Sequence, residues 1–319
     1  MSLLLAIKSG SGNWSAAAWA ERFRACLPDM PVVDAGGEFY DTSAVRYAAV
    51  WKPAPGLLAS LPNLRAIFNL GAGVDALLAD LSLPKHVPIA RVVDPDLTRR
   101  MTEYVVWHVL DQHRQGPLHR AAQLRRAWIG PDQRAAKDLR VGLMGLGAIA
   151  RDAAEVLARL GFQVAGWSRS IKSLPGVRCH HGADGLNAFL ATTDILVVLL
   201  PLTRDTRHMI NVSLLRSLAK DGPLGKPVLI NAGRGGLQVE ADILACLDEG
   251  SLGHAVLDVF ETEPLPASNP LWAHPGVTIT PHNAADSDPD AISVAVADQI
   301  RACEQGRPLR HLIDRPRGY

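Results

Sequence analysis

The chain has 319 residues, of which 48% are hydrophobic and 20% are charged, and its formal net charge at pH 7 is +1. This length allows two domains with separate cores, and the balanced charge gives no reason to expect nucleic acid as a partner. No apolar run has transmembrane length, MSLLLAIKSG lacks the basic leader of a signal peptide, and the four cysteines are scattered. We therefore expect a cytoplasmic protein with reduced thiols that does not act on a membrane.

Short apolar segments alternate with helical stretches along most of the chain, a pattern typical of parallel sheets covered by helices. In the first hundred residues the predicted strands are LLLAI, PVVDA, YAAVW, LRAIFNL and VPIARV. Helical stretches lie between them, from Trp14 to Cys26 and from Val74 to Asp80. Five strands are enough for a small doubly wound domain.

A helical stretch with several breaks follows, from Arg99 to about Trp128, and then the polar segment WIGPDQRAAKD; we interpret these as an inter-domain helix, an arm and a linker. From Leu139 a second series of six strands begins, which matches a dinucleotide-binding sheet: LRVGLM, FQVAGW, DILVVLL, PVLIN, GHAVLDV and VTIT. The last helical stretch, from Asp290 to Glu304, could cross back to the first domain. The first domain would then be discontinuous in sequence.

The clearest local motif is the turn Gly145-Leu146-Gly147-Ala148-Ile149-Ala150, which has the pattern G-x-G-x-x-A between a strand and a helix. Gly145 allows the tight turn, Gly147 lets the backbone approach a pyrophosphate, and Ala150 keeps the helix close to the strand. The N–H groups and the positive dipole end of the helix then face the phosphates. Because strand, turn, helix and second strand are all in place, the segment predicts dinucleotide binding.

The residues at the end of the next predicted strand indicate which dinucleotide the site would prefer. A site for NAD normally has Asp or Glu there to bind the ribose 2′-hydroxyl, whereas this chain has Ser168, Arg169, Ser170 and Lys172, and no carboxylate before Asp184. These residues could hold the 2′-phosphate of NADP. The alternative is a solvated basic turn.

Three residues of the last third, Arg234, Glu263 and His282, each follow a predicted buried strand. The carboxyl ends of parallel strands meet at one edge of a sheet, where open α/β sheets bind ligands. Arginine clamps a carboxylate, histidine moves a proton near neutral pH, and a carboxylate can hold and charge the histidine. Each residue alone could be a solvated loop residue, but the three together favour a site for chemistry on a small carboxylate.

Several segments together resemble the D-isomer-specific 2-hydroxyacid dehydrogenases over nearly the whole chain. They are NLGAGVDALL, GLGAIA, LLPLTRDTRHMIN, NAGRG, LDVFETEPLP and TPHNAA. Within that family GWSRSIKSLPGV and the closing DRPRGY are most similar to the glyoxylate/hydroxypyruvate reductase A branch. The chain departs from the family pattern at Gly233, at Ile171 and in the segment HNAADSD.

The resemblance implies an α/β fold with two doubly wound parallel-sheet domains: a flavodoxin-like substrate domain over residues 1–98 and 288–319, and a Rossmann cofactor domain over residues 99–287. It implies hydride transfer to the C2 carbonyl of a small 2-oxo acid, glyoxylate or hydroxypyruvate, with a D product where the product is chiral. It also implies NADP(H) as the preferred cofactor, with NAD(H) as the alternative. The protein would be a homodimer formed largely through the cofactor domain, a prediction that apolar residues on the helix after Arg99 also support: Tyr104, Val105, Val106, Trp107 and Leu110.

The family's residue roles carry over to matching positions. Arg234 would bind the substrate carboxylate and polarise the carbonyl, His282 would donate the proton, Glu263 would keep His282 charged near neutral pH, and Asp258 would accept a hydrogen bond from the nicotinamide carboxamide. The other predicted cofactor residues are Gly145, Leu146, Gly147, Ala148, Ile149, Ser168, Arg169, Ser170, Lys172, Leu200, Pro201, Thr206, Ala232 and Gly233. The predicted substrate residues besides Arg234 are Trp51, Leu70, Gly71, Ala72 and Gly73, of which Ala72 and Gly73 would offer backbone donors.

Alternatives remain for single residues and for the whole chain. Trp51 could form a wall of the substrate pocket or be a packed aromatic residue at a strand end. We expect His180 and His181 in a surface loop, and His108 and His113 on an interface or a solvated face. The expected chemistry needs no metal. The chain could instead reduce a larger 2-oxo acid, or be a dinucleotide-sensing regulator of the same fold. A hydrolase built on His282 and Glu263 is disfavoured because the sequence has no G-x-S-x-G nucleophile elbow.

Overall fold

The computed structural model describes residues 1–8, 14–37, 39–93 and 95–318, apart from the side chain of Pro95. The chain divides into two compact units, one of Met1–Asp96 with Ser287–Tyr319 and one of Leu97–Asp286. The boundaries predicted from sequence, after residues 98 and 287, lie two residues and one residue further along the chain than the observed ones. Across the described ranges, no helix combines the length and the apolar character needed to cross a membrane.

The first unit is built on a five-stranded parallel sheet. Its strands are β1 (Ser2–Ile7), β2 (Val32–Asp34), β3 (Val45–Trp51), β4 (Ala66–Asn69) and β5 (Ile89–Arg91). The order β2-β1-β3-β4-β5 is the flavodoxin-like order, as predicted. Leu3, Leu4 and Leu5 of the interior strand β1 are all fully buried, because helices cover both faces of such a sheet and its strands become continuous apolar runs.

Two helices from opposite ends of the sequence share one core of this unit. Trp19 and Phe23 of α1 (Ala16–Cys26) pack in one cluster with Ile292 and Val296 of α9 (Pro289–Glu304). The short α2 (Asp75–Leu78) contributes Leu77 to the cluster on the other face of the sheet. The last long helix therefore belongs to the first unit, and that unit is discontinuous in sequence.

The second unit contains a seven-stranded parallel sheet. Its strands are β6 (Arg140–Met144), β7 (Gln163–Ser168), β8 (Arg178–His181), β9 (Ile195–Val198), β10 (Val228–Asn231), β11 (His254–Leu257) and β12 (Val277–Ile279). The order β12-β11-β10-β9-β6-β7-β8 contains the Rossmann arrangement, in which the crevice for a dinucleotide lies where the order reverses. Its helices are α3 (Pro95–His113), α4 (Gly116–Leu124), α5 (Ala148–Arg159), α6 (Gly182–Leu190), α7 (Val212–Arg216) and α8 (Glu240–Glu249).

The sequence prediction of six strands in this sheet is wrong by one, because it placed His180 and His181 in a surface loop. Both residues belong to β8, which pairs with β7 at the edge of the sheet. The segment RCHH is half-exposed and polar, so it lacks the apolar pattern by which strands are found in sequence. The strand β8 forms because its backbone pairs with that of β7 at the edge of the sheet.

The expectation of a solvated face for the histidines of α3 is also wrong. His108 and His113 are 1% and 6% exposed, so neither lies on a solvated face. The α3 residues Tyr104, Val105 and Val109 are buried in the main cluster of the second unit, and this packing carries the histidines inward. The helix begins at Pro95, four residues before the predicted start, and breaks at Gln115, which has a left-handed backbone.

Candidate active site

The three residues singled out at strand ends follow three neighbouring strands of the second unit. The last residues of β10, β11 and β12 are in register, with Asn231 paired to Leu257 and Leu257 paired to Ile279. Because these strands are parallel, the chain leaves all three at the same edge of the sheet. Arg234, Glu263 and His282 are on the loops that begin there.

Glu263 and His282 form a direct pair. The distance from His282 Nδ1 to Glu263 Oε2 is 2.7 Å, and the two side chains are 44% and 30% exposed, respectively. The other carboxylate oxygen, Oε1, accepts the backbone N–H of Phe260 at 3.0 Å. An ionised carboxylate can only accept hydrogen bonds, so Nδ1 carries the proton of this contact and Nε2 is the nitrogen left for proton exchange with a ligand.

The backbone around His282 is held in an uncommon conformation by Asp258. His282 has a φ of +53°, a left-handed value that residues with a side chain adopt rarely. Its N–H donates to the carbonyl oxygens of Asp258 at 2.8 Å and of Thr280 at 3.0 Å. The Asp258 carboxylate, 1% exposed, accepts the N–H groups of Asn283 at 3.0 Å and Ala284 at 3.2 Å. Asp258 therefore shapes the turn of His282, a role that sequence analysis did not find.

The loop of Arg234 is ordered by a buried amide. Asn231 is 0% exposed; its Oδ1 accepts the N–H of Gly233 at 3.0 Å and its Nδ2 donates to the carbonyl of Arg234 at 3.3 Å. The half-buried Arg234 donates from Nη1 to the carbonyl of Gly233 at 2.7 Å. The residue expected to clamp a carboxylate thus stands on a loop whose backbone is fixed at two points.

A second buried amide joins this loop to the one that precedes Glu263. Gln238 Oε1 accepts from Asn231 Nδ2 at 2.8 Å, and Gln238 Nε2 donates to the carbonyl of Val259 at 2.9 Å. Gln238 is 0% exposed, and a buried amide is stable only when its groups are paired. Sequence analysis missed Asn231 and Gln238; the available signal was an amide residue inside otherwise apolar segments.

The glycine turn after β6 has the shape that a phosphate-binding turn needs. Gly145 has a φ of +104°, and a Cβ there would lie 3.0 Å from the carbonyl oxygen of Leu199. A Cβ at Gly147 would meet no described atom within 4 Å. A cavity of about 480 Å³ opens at this point, lined by Thr98, Leu146, Gly147, Ala148, Arg151, Asp152, Glu155 and Lys172. The residues present therefore fit a dinucleotide, whose pyrophosphate would approach the start of α5.

The basic turn after β7 adjoins this cavity through Lys172. Ser168 is buried, and its hydroxyl donates to the carbonyl of Ser170 at 2.7 Å, which closes the turn. The Arg169 guanidinium lies on the surface, 3.7 Å from a carboxylate oxygen of Asp205. An exposed pair of this kind is weak.

The remaining predicted cofactor residues lie along the same edge, between the glycine turn and the loop of Arg234. A Cβ at Gly233, which follows the buried Ala232, would lie 3.0 Å from the carbonyl oxygen of Leu200. The Thr206 hydroxyl donates to the carbonyl of Pro201 at 2.7 Å and holds the loop after β9. Gly145 approaches that loop at Leu199, so the loops after β6, β9 and β10 form one continuous rim.

In the first unit, the loop expected to bind a carboxylate follows β4 and lies against the end of β3. The buried Asn69 donates from Nδ2 to the carbonyls of Gly71 at 2.7 Å and Gly73 at 2.9 Å. A Cβ at Gly71 would lie 1.8 Å from the ring of Trp51. Leu70 is buried and Ala72 is exposed at the tip of the loop. Trp51 is therefore packed against this loop, and Asn69, to which the sequence analysis gave no role of its own, sets the loop's shape.

Comparison with known proteins identifies the family. The profile described as "D-isomer specific 2-hydroxyacid dehydrogenase, NAD binding domain" matches residues 106–284. The glyoxylate/hydroxypyruvate reductase A of Salmonella newport (strain SL254) is 39% identical over 312 residues, which are 96% of this chain and 97% of that protein. The protein of the same name from Enterobacter sp. (strain 638) is 37% identical over 306 residues, 94% and 96% of the two chains.

Solved structures agree over the whole chain. The NADPH-dependent glyoxylate/hydroxypyruvate reductase of Sinorhizobium meliloti, in complex with NADP and sulfate, has a TM-score of 0.91 and 45% identity, covering 100% of this chain and 99% of that one. A probable 2-hydroxyacid dehydrogenase from Rhizobium etli CFN 42, in complex with NADP, HEPES and L(+)-tartaric acid, has a TM-score of 0.93 and 42% identity with the same coverage. The resemblance predicted from sequence is thereby confirmed. This chain belongs to the D-isomer-specific 2-hydroxyacid dehydrogenases, a family of NAD(P)-dependent oxidoreductases.

Proposed function

We propose that this protein reduces small 2-oxo acids, glyoxylate and hydroxypyruvate, to 2-hydroxy acids with NADPH, with a D product where the product is chiral. The observation that carries the proposal is the 2.7 Å contact between His282 Nδ1 and Glu263 Oε2 at the edge of a Rossmann sheet. The names of relatives that match nearly the full chain support the substrate class.

In this proposal each residue of the site has one task. Bound NADPH supplies the hydride for the C2 carbonyl. Arg234 binds the substrate carboxylate in a two-pronged contact and polarises the carbonyl oxygen. His282 gives the proton from Nε2 to the forming alkoxide, and Glu263, which accepts from Nδ1, stabilises the positive charge of the ring before the transfer. Asp258 Oδ2 accepts the N–H of Ala284 and retains an acceptor site, which we assign to the nicotinamide carboxamide.

The preference for NADPH is proposed from the turn after β7. Arg169, Ser170 and Lys172 would bind the 2′-phosphate, since the turn has no carboxylate to repel it. Gly145 to Ile149 would cradle the pyrophosphate, and the rim formed by Leu200, Pro201, Thr206, Ala232 and Gly233 would border the nicotinamide half. In the first unit, we assign the backbone of Ala72 and Gly73 to the substrate carboxylate.

We also propose that the protein is a homodimer formed through the second unit, in the cytoplasm. Tyr104 and Val105 are buried within that unit, so they are not available to a partner, which corrects part of the argument from sequence. The exposed apolar residues of α3, α4 and the following segment are Trp107, Leu118, Leu124, Trp128 and Ile129, and such a group is typical of an interface. Light scattering at micromolar concentration should give twice the monomer mass of 34.3 kDa, and the monomer mass would exclude the dimer.

The scattered free cysteines support the proposed location in the cytoplasm, which is a reducing compartment.

A steady-state panel of 2-oxo acids with NADPH and NADH tests the function. We expect the highest kcat/KM for glyoxylate or hydroxypyruvate with NADPH. A preference for long or aromatic 2-oxo acids would place the protein elsewhere in its family. If NADPH binds tightly but no 2-oxo acid of the panel oxidises it, a dinucleotide-sensing regulator would be favoured instead.

A further inference from the structure

We propose that Tyr104 and Thr280 are positioning residues of the reaction, which hold the turn of His282 in its working conformation through the carboxylate of Asp258. The inference rests on the proposed role of His282 as the proton donor. Neither residue was predicted to belong to the site from sequence, and Tyr104 is separated from Thr280 by 176 positions.

The three side chains form one directed chain of hydrogen bonds. The Thr280 hydroxyl donates to Asp258 Oδ1 at 2.7 Å, and the Tyr104 hydroxyl lies 2.7 Å from Thr280 Oγ1. A threonine hydroxyl has a single proton, which is already given to the carboxylate. Tyr104 must therefore be the donor to Thr280, and the chain runs from Tyr104 to Thr280 to Asp258.

This chain ends on the carboxylate that shapes the turn of His282. Asp258 Oδ1 accepts both the Thr280 hydroxyl and the N–H of Asn283, and Oδ2 accepts the N–H of Ala284. The backbone carbonyl of the same aspartate accepts the N–H of His282. The left-handed φ of His282 is thus maintained from both sides, since residues on either side of the turn bond to one aspartate. A displaced Asp258 carboxylate would release Asn283 and Ala284 and let the imidazole move away from Glu263.

Tyr104 is suited to anchor this chain. It is 6% exposed, and its neighbours on α3, Val105 and Val109, are fully buried in the same cluster. Burial raises the pKa of its hydroxyl, so the group stays protonated and remains a donor over the whole working range. The helix therefore supplies a fixed donor to the base of the loop.

Matched substitutions separate positioning from general stability. Thr280→Val keeps the size of the side chain and removes the hydroxyl, whereas Thr280→Ser keeps the hydroxyl. Tyr104→Phe removes the first donor. Tyr47→Phe is the control, because Tyr47 is a fully buried tyrosine of the first unit whose hydroxyl donates to Glu304.

With glyoxylate and NADPH, we expect Thr280→Val to lower kcat by roughly 10- to 100-fold, which is less than the roughly 10²–10⁴-fold contributed by general acid catalysis as a whole, because His282 is displaced and not removed. The KM of glyoxylate should change less, and Thr280→Ser should restore most of kcat. The alkaline limb of the pH–rate profile should move to lower pH in Thr280→Val and Tyr104→Phe, because a displaced imidazole loses the charge stabilisation from Glu263. Tyr47→Phe should leave the profile in place even if it lowers the melting temperature.

A readout without turnover keeps this test apart from the test of function. The hydrogen-bonded Nδ1 proton of His282 should give a low-field NMR signal, assigned by its loss in His282→Ala. We expect that signal to shift or vanish in Thr280→Val and to persist in Thr280→Ser. An unchanged signal together with an unchanged alkaline limb in Thr280→Val would overturn the positioning role. A changed signal in a protein that reduces no 2-oxo acid would uphold the positioning role and contradict the proposed function.

Discussion

At the scale of single residues, Glu263 is oriented by its two oxygens. One accepts the N–H of Phe260 and the other meets Nδ1 of His282, so the carboxylate cannot turn without losing a contact. This arrangement gives the imidazole one orientation toward a ligand. Glutamine has nearly the same shape as glutamate, so a substitution of Glu263 by glutamine removes the charge and keeps the size of the side chain.

Glu263→Gln should therefore act mainly through charge. A neutral amide stabilises the imidazolium less than a carboxylate does, and the reductive reaction needs His282 protonated. The alkaline limb of kcat/KM should move to lower pH. We would measure kcat/KM for glyoxylate against pH in both proteins; coincident alkaline limbs would limit Glu263 to a structural role.

Arg169→Ala should change the choice of cofactor. The Arg169 side chain is 52% exposed and lies 3.7 Å from an Asp205 carboxylate oxygen that is itself exposed, and substitutions at such surface positions usually cost little stability. We expect kcat/KM for NADPH to fall roughly 10-fold or more, the scale of a lost charge-assisted contact, with little change for NADH. Arg159→Ala, at the far end of α5 from the glycine turn, is the control. A wild type that favours NADH would show that the basic turn is only a solvated surface.

At the scale of elements, the loops after the strands fit each other closely. A Cβ at Gly235 would lie 1.7 Å from the carbonyl oxygen of Phe260 and 2.0 Å from its carbonyl carbon. Phe260 is also the residue whose N–H binds Glu263. The loop of Arg234 and the loop of Glu263 are therefore in direct backbone contact, so that a shift in one must displace the other.

Gly235→Ala should accordingly damage both stability and activity. The new methyl group would meet backbone atoms that cannot rotate away, and overpacking of this kind costs about 3 kcal/mol. The displaced Phe260 should also loosen Glu263 and lower kcat. Gly130→Ala is the control, since a Cβ there would meet nothing within 4 Å in the described part of the chain. Equal melting temperatures and kcat values for the two variants would refute the close fit.

At the scale of the whole molecule, the second unit contains buried histidines that oppose folding in acid. Burial lowers the pKa of His108 to about 4 and that of His254 to about 4, from 6.5. Between pH 6.5 and pH 4 the unfolded chain binds protons that the folded chain does not bind. Their contribution to stability is thus complete above pH 6.5 and is lost as the pH falls toward 4.

His108→Phe tests this behaviour. Neither ring nitrogen of His108 meets a hydrogen-bond partner within the described ranges, so an apolar ring of similar shape should be tolerated at neutral pH. In acid the variant should recover up to about 3 kcal/mol of the loss, since each unit of pKa difference is worth about 1.4 kcal/mol. Urea unfolding at neutral and acidic pH measures the effect, with the exposed His119→Gln as control. An equal loss of unfolding free energy between neutral and acidic pH in His108→Phe and the wild type would contradict this prediction.

Sequence alone determined those features of this protein that depend on local pattern. Apolar runs alternating with helical stretches predicted two parallel sheets, and glycine spacing after a strand predicted the turn at Gly145 and Gly147. The placement of Arg234, Glu263 and His282 at strand ends could also be read from sequence, because parallel strands end at one edge. In each case the physical cause lies within a few residues of the pattern that reveals it.

The tertiary structure alone decided the features that depend on contacts between distant residues. The polar strand β8 forms because an edge pairs with β7, and His108 is buried because its helix packs on the core of the second unit. The turn of His282 is held by Asp258, Thr280 and Tyr104 from three separate parts of the chain. No local pattern encodes such contacts, since their partners are chosen by packing and by the need of buried polar groups for hydrogen bonds.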